Sequence, residues 1–424
     1  MWRFSLALYR SRKPLVFLIL CGLLLSCVVT AESSGAMNEI VLYAVFPTSE
    51  DLVSQSVADK AALSFAIDDM NSLFQEIGSD TRVRVNITDI TSEPQSALAA
   101  VESLHTSGIH MVLGHFTSAQ IEAIKPYADT QGILILSIGS SATSLSLADD
   151  NILRFNPDDS NQAEVITSLL NYYSIGDIVP LVRDDIWGNE LISTIHEKMG
   201  NDTTLDDIVR YDPEVRSYEE VVSRLDTQVG IVLAQEKKEM VGVLALTFGE
   251  IVPIIEEASN EKYVNLSLVR WFGADGNTLN PDLLFSPKVA TYSVARNFTG
   301  TSFSGDTSIT DTSVRERLVN ELGYDPNGYA YAMYDMGKIA TQAISLQGLD
   351  EAKALKIAVT AIADTFSGVS GETKINEAGD RIEAHYAYWA LGKDVTGDYI
   401  WKSVGDAIIW GKGSQPVLHM DGDQ

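Results

Sequence analysis

Cysteine is almost absent. The chain of 424 residues has two, Cys21 and Cys27, and none after position 27. Beyond that point disulfides, a thiolate nucleophile and a cysteine-based metal site are excluded. Positive charge is also scarce, with 30 Lys and Arg against 58 Asp and Glu and a net charge of −28. So acidic a chain argues against nucleic acid and anionic membrane surfaces as partners. Histidine occurs six times, at His105, His110, His115, His196, His385 and His419, without metal-ligand spacing. His115 reads as a hydrogen-bonded histidine at a strand end, and His419 with Asp421 and Asp423 as a solvated tail. A G-x-S-x-G elbow, a glycine-rich dinucleotide loop, a phosphate loop and an H-E-x-x-H helix are all missing. The sequence therefore predicts no enzyme, no metal and no cofactor.

Present instead is enough chain for two domains with substantial cores. Residues 1–31 read as an export leader. Arg3, Arg10, Arg12 and Lys13 precede the apolar run Leu15 to Val29. Two endings fit: Val29-Thr30-Ala31 resembles a small-residue cleavage site, and Leu24-Leu25-Ser26-Cys27 resembles a lipobox that would make Cys27 a lipid attachment site. An uncleaved anchor is the third reading, although the run is short of the ~20 residues of a usual span. Each places the remainder outside the membrane, at the extracellular face of the cell membrane or in the periplasm.

The remainder reads as repeated β-α units. Strands are expected at Ile40–Phe46, Val83–Ile87, Met111–Leu113, Ile133–Leu136, Ile178–Val182, Val241–Leu246, Leu268–Phe272, Val289–Val294 and Glu383–Leu391. Helical stripes lie between them, including Ile121/Ile124/Ala128, Val165–Tyr173 and the long Gly328–Leu346. Asn151 to Ser160 reads as a polar, turn-rich crossing between domains, and the residues after Gly411 as a loose polar tail. Two successive strands end in hydroxyl-rich turns: His115 to Ser118, and Ser137 to Ser144. At the carboxyl ends of parallel strands such groups suit an anion such as a carboxylate, and they also serve as ordinary turn and N-cap residues. Ser118, Ser141, Ala142 and Thr143 are the candidates. Later strand ends supply Trp187, Phe248 and Asp275. An aspartate there suits an ammonium group, or a simple turn beside glycine. An anion side, a cation side and an aromatic face together suit a zwitterionic amino acid.

At these residues the sequence resembles the type I periplasmic binding proteins, in particular the branched-chain amino acid (leucine/isoleucine/valine) binding family of ABC importers. The motifs are Asp68-Asp69-Met70-Asn71, Leu113-Gly114-His115-Phe116-Thr117-Ser118, Ser141-Ala142-Thr143-Ser144, Asp184 to Gly188, Gly273-Ala274-Asp275-Gly276, Tyr334-Asp335, Phe366 to Gly371, and Gly379-Asp380-Arg381. The resemblance runs from about Ile40 to about Trp401. It implies an α/β fold of two doubly wound parallel-sheet lobes joined by a three-crossing hinge. Lobe 1 would hold 38–158 plus 291–369 and lobe 2 would hold 159–290 plus 370–405, leaving 406–424 as a polar tail. The crossings would lie near Asn156 to Ser160, near Ala290, and near Gly368 to Gly371. It also implies that Ser118 and Thr143 face a ligand carboxylate and Asp275 its ammonium, with an aromatic cover at Trp187. The sequence departs from the family in four places. Pro47-Thr48-Ser49 lacks a glycine, the turn Ile138 to Ser141 is longer than in the leucine binders, Trp187 replaces the frequent Tyr, and Asp275 replaces the frequent Glu.

Two functions follow from the resemblance. One is a solute-binding protein that delivers an amino acid, or a related small zwitterion or carboxylate, to an ABC permease. The other is a ligand-sensing receptor domain on the same fold.

Overall fold

The computed structural model describes residues 38–200, 203–304, 312–348, 351–410 and 416–420. The leader 1–31 and Cys27 lie outside the described residues. No helix among the described residues is long and apolar enough to cross a membrane.

Two sheets carry the architecture. The first runs in the order β2-β1-β3-β4-β5. Its strands are β1 (Glu39–Pro47), β2 (Arg82–Ile90), β3 (Met111–Gly114), β4 (Leu134–Ser137) and β5 (Ile152–Arg154), all parallel. Side chains alternate across this sheet, as strand geometry requires. Leu42, Ala44 and Phe46 face the helices Val53–Glu76 and Gly328–Gln347. Val45, Val112 and Ile135 face the helices Pro94–Thr106 and Ser118–Gln131. Both faces are covered, which explains why the short strands β3 and β4 are buried throughout and apolar but for the terminal Ser137.

The second sheet runs in the order β16-β15-β14-β11-β10-β9-β6-β7, with β8 also paired to β6. The parallel part comprises β6 (Asp177–Arg183), β7 (Thr204–Leu205), β8 (Val209–Tyr211), β9 (Val241–Leu246), β10 (Arg270–Gly273) and β11 (Thr299–Ser304). A separate two-stranded pair, β12 (Ser367–Gly368) and β13 (Gly371–Glu372), follows in the chain. The second sheet is completed by β14 (Glu383–Lys393), β15 (Tyr399–Trp410) and β16 (Val417–Met420), which pair antiparallel.

Four expectations need correction. Val289–Val294 is not a strand but lies in the helix Pro287–Ala295. Ser286 caps this helix and Pro287 fills its first turn, where a proline costs nothing. Residues 291–304, expected in lobe 1, include β11, which pairs β10 and β14 of the second sheet. Ala290 therefore marks no passage between the sheets, since it lies within a helix that is followed by a strand of the second sheet. The polar tail expected at 406–424 supplies the end of β15 and all of β16, because Ala407 and Ile409 project into the apolar core beside Ala384, Tyr386 and Met420. The second sheet is accordingly mixed rather than purely parallel. Finally Ile152–Arg154, read as part of a polar crossing, forms β5.

The segments that pass between the sheets are tied together by buried polar contacts. Arg154 and Asp380 form an ion pair with both side chains almost fully buried. The Arg154 backbone also exchanges hydrogen bonds with Gly379 and Arg381. Asp335, on the helix Gly328–Gln347, accepts from the Val369 and Ser370 N–H groups and the Ser370 hydroxyl. A Cβ on Gly368 would come within 2.1 Å of that carboxylate, so glycine is needed for the approach.

Candidate functional site

The carboxyl ends of the strands of both sheets open onto one cleft. Its walls include Ser54, His115, Thr117, Gly139 and Ser141 from the first sheet's side and Trp187, Phe248, Asp275 and Asp282 from the second, with Tyr329 between them. The space in which the centre of a water-sized sphere can move is about 60 Å³. One water needs ~10–15 Å³ by the same measure, so the space suits a small molecule and not a polymer.

On the first side the local structure follows from capping. Thr117 and Gln120 form a reciprocal capping box at the start of the helix Ser118–Gln131. This fixes Ser118, which is buried. Its Oγ accepts hydrogen bonds from the Ser141 and Ala142 N–H groups at 3.2 and 3.1 Å. Thr143 donates its hydroxyl to Glu190 Oε2 at 3.1 Å, and the Ser144 N–H donates to the same oxygen at 2.9 Å. Glu190 stands on the helix Ile186–Lys198 of the other side. His115 is buried, and its Nδ1 donates to Asp59 Oδ2 at 2.9 Å.

On the second side Asp185 caps the helix Ile186–Lys198 by accepting from the Gly188 N–H at 2.9 Å, which sets Trp187 at the cleft. Trp187 stacks on Phe248 with ring centroids 4.7 Å apart. Arg183 lies behind Phe248, its guanidinium carbon 4.5 Å from the ring centroid. Arg183 pairs with Glu250, Asp185 and Asp51 at 2.7, 2.8 and 3.2 Å. Burial lowers its pKa, but these carboxylates outweigh burial and hold it raised. Asp51 belongs to the first side, so this pair spans the cleft. The Gly249 N–H donates to the Asp51 carbonyl at 2.9 Å, and Ser54 donates to Asp282 at 2.7 Å.

Asp275 is buried at the end of β10 and accepts from the Tyr329 hydroxyl. Burial raises its pKa, and the Tyr329 hydroxyl, the neighbouring Gln162 and the Gly276 N–H only partly offset this. Gln162 makes no hydrogen bond of normal geometry with its side chain. Asp159, 1 % exposed, has two carboxylate oxygens without a hydrogen-bond partner. Burial first, and then the charge of Asp275, push its pKa well up; Ser141 adjoins it. Two buried carboxylates thus sit together with no Lys or Arg at the cleft walls among the described residues. Burying such charge is costly unless a cation is supplied.

Of the residues expected from sequence, Ser141, Trp187, Phe248 and Asp275 meet around the cleft. Ser118, Ala142 and Thr143 lie behind it and shape the turn. Sequence reasoning missed Asp159, Glu190 and Tyr329. Asp159 carried a faint signal, since Asp158 and Asp159 follow Pro157 and open a helix. Glu190 and Tyr329 carried none, because both are ordinary residues within helical patterns.

Comparison with known proteins places this geometry in context. Residues 58–394 match the family model described as the receptor family ligand binding region. An uncharacterized protein of Methanocaldococcus jannaschii is 24% identical over 403 residues, covering 90% of this chain and 92% of its own. Among solved structures, the branched-chain amino acid transporter substrate-binding protein LivJ of Streptococcus pneumoniae, in complex with isoleucine, superposes with a TM-score of 0.66 at 14% identity. It covers 87% of this chain and 99% of its own. The leucine-binding protein LivK of Thermotoga maritima gives 0.69 at 14% identity, covering 86% and 97%. A solute-binding protein of R. palustris in complex with benzoate gives 0.68 at 13% identity, covering 92% and 98%.

Proposed function

The chain belongs to the receptor family of ligand-binding regions and has the fold of the type I periplasmic binding proteins, and on that footing we propose that it captures an amino acid or a related small zwitterion between its two lobes. The lobes proposed are the first sheet with its helices, including Gly328–Gln347, and the second sheet with its own. The observation that carries the reading is the cleft itself: Ser141 and His115 face Trp187, Phe248 and Asp275 across a space of small-molecule size. In this reading Asp275 takes the ammonium group, Trp187 and Phe248 cover the apolar part, and Ser141 orients the solute. A solute touching both lobes favours the closed form, because only that form offers both sets of contacts.

Delivery to an ABC permease is the role we assign to the closed, loaded form, at the outer face of the membrane or in the periplasm. A sensing role remains the second reading, favoured by the receptor description of the matched family. A thermal-shift screen of amino acids, amines and small carboxylates tests capture. A ligand at 100 times its Kd should stabilise the fold by about 2.7 kcal/mol. A flat screen would remove the solute-binding reading. Co-purification of the loaded protein with a permease, and not with a sensory partner, would decide for transport.

A further inference from the structure

The charge balance of the cleft narrows the solute class. Glu50, Asp51, Asp275 and Asp282 line the cleft, and Asp159 lies directly beside Ser141 and Asp275. Of these, Asp51 is neutralised by Arg183 from behind the aromatic pair. Asp275 has the Tyr329 hydroxyl, Gln162 and the Gly276 N–H beside it, and Asp282 accepts from the Ser54 hydroxyl, so the donors at both are neutral. Asp159, 1 % exposed, has no hydrogen bond of normal geometry at either oxygen, and the group adjoining it is the neutral Ser141 hydroxyl.

The N–H groups and the Thr143 hydroxyl of the turn expected to hold a carboxylate are already used. The N–H groups of Ser141 and Ala142 go to Ser118 Oγ, and the Thr143 hydroxyl and Ser144 N–H go to Glu190. The anion-binding turn is thus filled by the protein's own oxygens, and one of these is a full negative charge from the opposite lobe. No lysine or arginine stands at the cleft wall among the described residues.

We propose that the solute is a net cation carrying two positive groups, of the chemical class of a basic amino acid or a short diamine, held by Asp275 with Asp159 at one end and by Asp282 at the other. This rests on the solute-binding reading above and narrows it. A neutral zwitterion brings a single cation against several carboxylates and adds a carboxylate of its own, a like-charge excess that a second cation offsets, whether or not the solute also carries a carboxylate. A solute with a second cation pairs with these carboxylates instead. The acidic surface of the whole chain draws such a solute to the cleft.

The test is calorimetry on the purified protein with L-lysine, 1,4-diaminobutane, L-leucine and benzoate. At least one of the two cations should bind tenfold or more tighter than leucine and benzoate, and should weaken as salt is raised. Asp159→Asn and Asp282→Asn should each reduce that affinity at least tenfold. Asp282 is partly exposed, so its variant serves should Asp159→Asn fail to fold. L-lysine binding without 1,4-diaminobutane binding would assign a basic amino acid, and the reverse a diamine. Leucine or benzoate binding as tightly as both cations would overturn the inference and leave solute capture intact. Binding by none of the four would overturn the inference, and together with a flat thermal-shift screen it would overturn solute capture too.

Discussion

Asp275 shows how one side chain can be read at two depths. A turn aspartate between Ala274 and Gly276 is unremarkable as a string of letters. In the fold it sits buried beneath Tyr329, beside Asp159, with burial holding its pKa up. A carboxylate in that position contributes most when a cation pairs with it, so Asp275→Ala should cost about 2–5 kcal/mol of solute binding. Titration calorimetry checks this, and an unchanged affinity would take Asp275 out of the site. Gly249 illustrates the same point for the backbone: a Cβ there would meet the Asp51 carbonyl at 2.6 Å, so the approach of the two lobes needs a glycine.

Elements decide where these residues stand. The helix Ser118–Gln131 begins where Thr117 and Gln120 satisfy each other's backbone N–H groups, and it ends at Gly132 in the left-handed region. Thr117→Ala removes the cap and should cost about 1 kcal/mol of stability, measured by urea denaturation. Because Ser118 follows the cap directly, the variant should also loosen the turn at Ser141 and Ala142. The helix Val53–Glu76 is fixed in a similar way at its far end. Asn71 donates to the Val83 carbonyl at 3.0 Å and accepts from the Val83 N–H at 2.8 Å, clipping helix to β2. That use accounts for the Asn in the motif Asp68 to Asn71, which sequence alone marked without a role.

For the whole molecule the acidic cleft predicts opposite pH trends for stability and binding. Asp159 and Asp275 have raised pKa values when folded, so the native state holds their protons more tightly than the unfolded chain does. Stability of the empty protein from this source is greatest at acid pH. It is lost as pH rises through the interval between the ordinary value of 3.8 and the raised folded values. Solute binding runs the other way, since a cation needs the ionised carboxylates, and affinity should rise with pH as these groups ionise above the ordinary value of 3.8. His115, Asp59, Tyr329 and Tyr386 also face or adjoin this cluster. The comparison is therefore with Asp159→Asn, in which both trends should flatten; identical profiles for the two proteins would count against the paired carboxylates as their origin.

Much of the architecture was legible as pattern. Apolar runs of strand length, each followed by a helical stripe, dictate parallel strands with covered faces, because backbone groups must be paired and apolar faces buried. The strand ends at Ser141, Trp187, Phe248 and Asp275 were readable for the same reason: a parallel sheet puts such ends on one edge. Where local signals misled, tertiary context had overridden them. Val289–Val294 is β-rich in composition yet helical, because Ser286 and Pro287 start a helix that packs against the second sheet. The chain near its end looked polar yet forms two strands, because β14 offered an edge to β15 and β15 in turn offered one to β16.

What the sequence determined by itself was the class of fold and the edge on which the strand ends at Ser141, Trp187, Phe248 and Asp275 gather, since both follow from short-range periodicity and turn chemistry. Only the tertiary structure decided that Glu190 reaches across to fill the turn at Thr143, and that Asp159 and Asp275 are buried side by side. Those facts rest on contacts between residues 47 and 46 positions apart in one case and on burial by both lobes in the other. Distance in the chain carries no information about either until the lobes are folded against each other.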